Sequence, residues 1–111
     1  MDIENAGYIN NICKLNEILE NNETVLVNCG LTNCGPCRKV YPECEKLSKK
    51  YENVVFVKIL FDNLSDDDHD ILKKKFNINK YPHFALVCNG DVLDTKQTAN
   101  IDEIESLIKY L

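Results

Sequence analysis

Thr24-Val25-Leu26-Val27-Asn28-Cys29-Gly30 leads through Leu31-Thr32 into Asn33-Cys34-Gly35-Pro36-Cys37, and these residues decide the fold. An apolar, β-branched run of this length reads as a buried strand over residues 24–30. The pattern that follows is helical, so the two cysteines stand where a strand hands over to a helix. Two thiols separated by Gly-Pro at such a junction can close a disulfide across one helical turn. The first then lies at the helix N-terminus, where unpaired N–H groups and the positive dipole end favour a thiolate over a thiol. The thiolate is the nucleophile in disulfide exchange. This reading makes Cys34 the attacking thiol and Cys37, about one turn further in and more shielded, the resolving thiol.

Working outward, Tyr8-Ile9 reads as a short strand, and Asn11 caps a helix whose Ile12, Leu15, Ile18 and Leu19 line one face. Residues 35–51 read as a helix with Val40, Tyr41, Cys44, Leu47 and Tyr51 inward, and Pro42 within it is expected to kink it. Residues 54–61 are apolar apart from Lys58, as in a strand buried on both faces. Ser65 caps a further helix with Asp66-Asp67-Asp68 in its first turn and Lys73-Lys74-Lys75 in its last. Residues 83–87 and 92–95 flank Asn89-Gly90, a strong hairpin signal. Asp102 is expected to cap a last helix carrying Ile104, Leu107, Ile108 and Leu111.

The whole arrangement resembles the thioredoxin family, over nearly the full chain. Val25-Leu26-Val27 with Cys34-Gly35-Pro36-Cys37 is similar to the family's central strand and redox motif, and Lys58-Ile59-Leu60-Phe61-Asp62 to its next core strand. Tyr81-Pro82-His83 stands where the family has its cis-proline loop, and Asn89-Gly90 where it has its late hairpin turn. Glutaredoxins usually carry Pro-Tyr between the cysteines and protein disulfide isomerases Gly-His, so the Gly35-Pro36 pair points to the thioredoxin branch. The resemblance implies an α/β, thioredoxin-like fold: one domain over residues 1–111, with a central mixed β-sheet flanked by helices on both faces. It implies a thiol-disulfide oxidoreductase that reduces protein disulfides through Cys34 and Cys37, with no cofactor bound to the chain itself. A flavoprotein thioredoxin reductase or similar electron donor would recycle the dithiol. The Tyr81–Pro82 bond would be cis, with the Tyr81 backbone pairing an extended substrate segment and Asn33, Tyr81 and Pro82 forming the substrate surface.

Two departures from the family pattern bear on activity. Asn33 replaces the usual Trp before the first redox cysteine, and the chain has no Trp at all. Asn28 replaces the buried Asp that helps move the resolving cysteine's proton in the family, and an amide cannot take that proton. Lys58 matches the lysine that faces this Asp, so it has lost its counter-charge; it either reaches solvent or, desolvated, becomes a base itself. Asn28 and Lys58 are thus the expected tuning residues. These losses favour a rival reading, a thioredoxin-like docking module with weak redox activity, although the Cys-Gly-Pro-Cys quartet is complete. His83 could tune the thiols, but a histidine in a strand is more often structural, and His69 is expected to be solvated.

Composition narrows the remaining classes. The chain has 111 residues, enough for one core, with 44% hydrophobic residues and a net charge of −5. An acidic balance argues against a nucleic-acid surface. No apolar run approaches membrane-spanning length, and Met1-Asp2-Ile3-Glu4 does not open a secretory signal. A monomer in the cytoplasm is expected, an organelle being the alternative if a targeting segment has been removed. Cys13, Cys29, Cys44 and Cys88 read as buried small hydrophobes, with Cys88, beside a turn, the one most exposed. Cys29-x4-Cys34-x2-Cys37 also reproduces an iron–sulfur ligand spacing, with a fourth thiol at Cys44 or Cys88, and the same thiols could serve zinc. Against both, Cys29 ends an apolar strand and Pro36 draws the other two into a helical turn, so no metal is expected.

Overall fold

Strand β2 (Thr24–Gly30) takes the centre of the sheet because six of its seven residues are buried and its ladder is satisfied on both edges. A computed structural model describes residues 8–111. In it β1 (Tyr8–Ile9), β3 (Val55–Leu60), β4 (His83–Cys88) and β5 (Asp91–Gln97) complete a five-stranded sheet of order β1-β3-β2-β4-β5. Strands β1, β3 and β2 run parallel; β4 pairs antiparallel with β2, and β5 antiparallel with β4. Helices α1 (Ile12–Asn21), α2 (Gly35–Lys50), α3 (Asp66–Lys75) and α4 (Ile101–Ile108) cover the faces, with a 3-10 turn at Phe61–Asn63.

Alternation along the strands divides the apolar side chains between two cores. On one face Val25, Val27, Val57, Ile59, Ala85 and Val87 meet Leu15, Ile18 and Leu19 of α1 and Leu72 of α3. On the other Leu26, Phe56, Phe84 and Leu86 meet Val40, Cys44 and Leu47 of α2 and Ile104, Leu107 and Ile108 of α4. Each fully buried side chain of this size contributes about 1.5–3 kcal/mol of transfer free energy. The two-sided core is therefore what fixes the register of β2, since a one-residue slip would exchange its faces.

The caps read from sequence are in place at two helices. The Asn11 side chain accepts from Lys14 N–H at 2.8 Å, and Ser65 Oγ accepts from Asp68 N–H at 3.2 Å. Asp68 does a second job, accepting the Ile12 N–H at 3.0 Å and so tying α3 to the start of α1. Asn89 and Gly90 turn the β4–β5 hairpin with φ of 52° and 85°, the left-handed pair that a type I′ turn requires. Helix α2 runs unbroken through Pro42.

Several expectations need correction. The cap of α4 is Asn100, whose Oδ1 accepts from both Asp102 and Glu103 N–H at 2.9 and 3.3 Å; Asp102 lies inside the first turn. Leu111 lies beyond that helix and is exposed. Strand β3 stops at Leu60, and Phe61 enters the 3-10 turn with its ring still buried. Tyr51 is the C-cap of α2 and is half-buried, its hydroxyl donating to Glu105 Oε2. Cys13, not Cys88, is the exposed cysteine outside the redox pair; Cys88 is half-buried beside Thr24. His69 is half-buried, its ring edge against Phe61 at 5.9 Å between centroids.

His83 is buried and joins β4 to the end of α3. Its Nε2 lies 2.9 Å from Phe76 O, a carbonyl that can only accept, so Nε2 carries the proton. Nδ1 is buried without a partner, and burial holds the imidazole below its ordinary pKa of 6.5. The folded protein thus keeps His83 neutral while the unfolded chain takes up a proton as pH falls through that value. The unfolded state binds more protons, so stability must fall on acidification.

Two measurements check this description. Asn100→Ala should cost about 1 kcal/mol in urea unfolding and Asp102→Ala clearly less, since only Asn100 satisfies orphan N–H groups; the reverse order would return the cap to Asp102. Between about pH 7 and about pH 5.5 the wild type should lose more stability than His83→Gln, which cannot titrate; equal losses would contradict a neutral buried imidazole.

Candidate active site

The site begins where β2 ends. Cys34 is the N-cap of α2, with extended backbone (φ −133°, ψ 107°), and its Sγ accepts the Cys37 N–H at 3.2 Å. A sulfur thus satisfies one of the helix's orphan donors, the task usually left to Ser, Thr, Asp or Asn. Pro36 fits the first turn because its missing N–H would have had no partner there. Cys34 and Cys37 are joined in a disulfide with their Cα atoms 5.2 Å apart. Cys34 is half-buried and Cys37 fully buried, so one sulfur faces outward and the other does not. Thr32, Asn33, Gly35 and Pro36 are all exposed around Cys34. A β-carbon at Gly35 would meet nothing within 4 Å, so packing does not demand glycine there.

The loop before Cys34 is clamped by residues that the sequence reading passed over. Thr32 N–H donates to Asp62 Oδ1 at 3.0 Å, and Arg38 Nη2 donates to Thr32 O at 3.0 Å. Hydrogen bonding from Thr32 outweighs burial and holds the Asp62 carboxyl below the usual carboxylate range. Local sequence gives no signal for this clamp, because Asp62 comes from the 3-10 turn after β3, thirty residues along the chain from Thr32.

The Tyr81–Pro82 bond is cis and Pro82 is buried. The Tyr81 ring is half-buried against Phe61, at 5.7 Å between centroids, and burial pushes its hydroxyl pKa up. Asn28 of β2 is buried with neither Oδ1 nor Nδ2 hydrogen-bonded. It is in register with Lys58 of β3, which is in register with Tyr8 of β1. Lys58 is half-buried, and its Nζ stands 4.8 Å from the Tyr8 ring centroid and 4.9 Å from that of Tyr41. Its lost carboxylate partner is replaced by two aromatic faces. A small cleft beside them is lined by Asn28, Tyr41, Cys44, Ser48 and Lys58, among others.

The remaining thiols are chemically quiet or remote. Burial pushes Cys44 up to about 12 and Cys29 higher still, so neither ionises near neutrality. Among the described residues no three His, Cys, Asp or Glu side chains converge on a point where they could hold a metal ion. The geometry therefore offers one pair of sulfurs for two-electron exchange, one partly accessible and the other shielded.

Comparison with known proteins agrees with this chemistry. The family model described as Thioredoxin matches residues 11–110. The chain is 34% identical to thioredoxin H2 of Arabidopsis thaliana over 96 residues, covering 86% of this chain and 68% of that one. It is 33% identical to thioredoxin 1 of Plasmodium falciparum over 96 residues, covering 86% and 88%. The solved structure of Plasmodium falciparum thioredoxin superposes with a TM-score of 0.82 at 31% identity, over 94% of this chain and 98% of that one. With its sheet order, its cis-proline loop and its Cys34–Cys37 disulfide, the chain belongs to the thioredoxin family and is a thiol-disulfide oxidoreductase of the thioredoxin fold.

Proposed function

We propose that this chain reduces disulfides of protein substrates with Cys34 as nucleophile and Cys37 as resolving thiol. Cys34 thiolate attacks a substrate disulfide, forming a Cys34–substrate bond and releasing one substrate thiolate. Cys37 thiolate then attacks Cys34 Sγ, so that the Cys34–Cys37 bond forms, the mixed disulfide breaks and the second substrate thiolate leaves. Each leaving thiolate takes a proton from water, and two electrons pass to the substrate. The observation that carries this assignment is the Cys37 N–H held on Cys34 Sγ at the head of α2, with Cys34 accessible and Cys37 enclosed. A donor aimed at sulfur favours its anionic form.

Asn33, Tyr81 and Pro82 form the substrate surface in this reading, with Gly35 and Pro36 keeping the turn tight. An extended substrate segment pairs with the Tyr81 backbone by strand addition. Asn28 and Lys58 tune the shielded thiol. A flavoprotein thioredoxin reductase or similar donor returns the electrons, making the chain one carrier in an electron-transport sequence. It works as a cytoplasmic monomer, in keeping with its net charge of −5 and with the lack, among the described residues, of a helix long and apolar enough to cross a membrane. The docking-module reading has one observation in its favour, the unpartnered Asn28 where the family carries a proton acceptor. Reduction of insulin disulfides driven by dithiothreitol separates the two: turnover abolished by Cys34→Ser supports the oxidoreductase, and a rate no higher than dithiothreitol alone supports the docking module.

Iodoacetamide should modify Cys34 of the reduced protein about tenfold faster than Cys13 at neutral pH: Cys34 itself caps α2 and holds the Cys37 N–H on its sulfur, whereas Cys13, exposed in the first turn of α1, leaves the cap of that helix to Asn11. Faster labelling of Cys13 would overturn the nucleophile assignment. Asn28→Asp should raise insulin turnover at neutral pH if, as in the family, a carboxylate at this position takes the Cys37 proton; an unchanged rate in the folded variant would show that deprotonation of Cys37 is not limiting.

A further inference from the structure

The shielded thiol has a neighbour that the two-cysteine scheme does not use. Tyr41 follows Cys37 by four residues on α2, so the two side chains lie on one face of the helix. Both reach the end of β2. A β-carbon built on Gly30 would stand 2.9 Å from Tyr41 Oη and 3.3 Å from Cys37 Sγ. The hydroxyl and the sulfur therefore share one small space, left open because residue 30 has no side chain. The Tyr41 ring is held there by the Lys58 ammonium 4.9 Å from its centroid and by the Tyr8 ring, edge-on at 6.4 Å. The unpartnered amide of Asn28 lines a cleft with the Tyr41 side chain, Cys44 and Lys58.

We propose that the Tyr41 hydroxyl donates a hydrogen bond to the Cys37 sulfur once the disulfide opens, and so holds the thiolate that resolves the mixed disulfide. The inference rests on the reading of Cys37 as the resolving thiol. Tyr41 keeps its own proton throughout: burial, then Tyr8 and Cys44, push it up to about 12, so it is a donor near neutrality and never a base. Cys37 gives its proton to water; its thiolate, bonded by the phenol, attacks Cys34 Sγ as described above. A hydrogen bond to the charged form lowers the pKa of a thiol, which is how this chain manages with an amide at residue 28. The other charged or titratable groups facing the hydroxyl or lining its cleft are Tyr8, Arg38, Cys44, Glu45, Lys58 and Asp62. Glu45 is the carboxylate among those lining the cleft and the chief competitor for the role.

The test uses the reduced protein in a Cys13→Ser background, mixed with an aromatic disulfide reagent whose thiol is coloured. The first coloured thiol reports attack by Cys34 and depends on reagent concentration. The second reports resolution by Cys37 and does not. Tyr41→Phe should leave the first rate unchanged and slow the second about tenfold at neutral pH, with the inflection of its pH profile raised by about one unit. Adding Asn28→Asp should restore the second rate, and Glu45→Gln in the parent should leave it as it was. A second rate and pH profile untouched by Tyr41→Phe would overturn the proposal. So would a profile shifted by Glu45→Gln instead, or a loss that Asn28→Asp does not repair, which would assign it to packing. Absence of the first phase in the parent protein would instead overturn the assignment of Cys34 as nucleophile.

Discussion

Everything in this molecule turns on the bond from Cys37 N–H to Cys34 Sγ at the head of α2. It is a helix cap made by a cysteine sulfur, and it puts that sulfur where the helix field is most positive. For the cap to form, β2 must deliver the chain to that point in one register. The two-sided core enforces this, with Val25 and Val27 facing α1 and α3 while Leu26 faces α2 and α4. The loop between strand and cap is pinned from outside, by Asp62 on the Thr32 N–H and by Arg38 on the Thr32 carbonyl. Folding energy and reactivity are joined here: the core aims β2, and β2 aims the sulfur.

At residue 28 of β2 the chain carries a polar amide in place of a charge. An Asp at residue 28 would face Lys58 as an ion pair; the Asn found there faces an ammonium already held between two tyrosine rings. A buried amide with neither end bonded is costly, about 1–3 kcal/mol for each unsatisfied group. Such a cost is tolerated most readily at a working site. The cleft that joins Asn28 to Tyr41, Cys44 and Lys58 lies on the α2 side of the sheet, the side from which Cys37 is reached. Of the four remaining cysteines, two are buried beyond ionisation near neutrality, Cys88 is half-buried at the hairpin, and Cys13 lies on the outer face of α1.

Much of this was legible in the sequence where the signal is local. The apolar run at residues 24–30, the left-handed pair Asn89-Gly90 and the caps Asn11 and Ser65 each depend on neighbours within a few residues, and each stands where it was read. The Cys-Gly-Pro-Cys turn and the cis peptide before Pro82 were legible through family resemblance. Errors arose where two local candidates compete or where a partner comes from afar. Asn100 and Asp102 both suit a helix N-cap, and only the strand's exit decides between them. Cys13 could have been placed correctly from helical periodicity, since it lies two residues from Leu15 and so well away from the Leu15–Ile18–Leu19 face. The Asp62 and Arg38 clamp, the tyrosine pair about Lys58 and the approach of Tyr41 to Gly30 are products of tertiary structure, and no window of sequence contains them.

The central claim is that a single dithiol carries the redox chemistry of a chain with six cysteines. Equilibrating the protein across a series of glutathione buffers, trapping free thiols with a heavy alkylating label and mapping the peptides tests it directly. The account predicts one two-electron transition in which Cys34 and Cys37 change together, while Cys13, Cys29, Cys44 and Cys88 stay labelled as thiols after unfolding. A transition in which Cys37 pairs with Cys29 or Cys44, or in which Cys34 and Cys37 oxidise independently of each other, would contradict it.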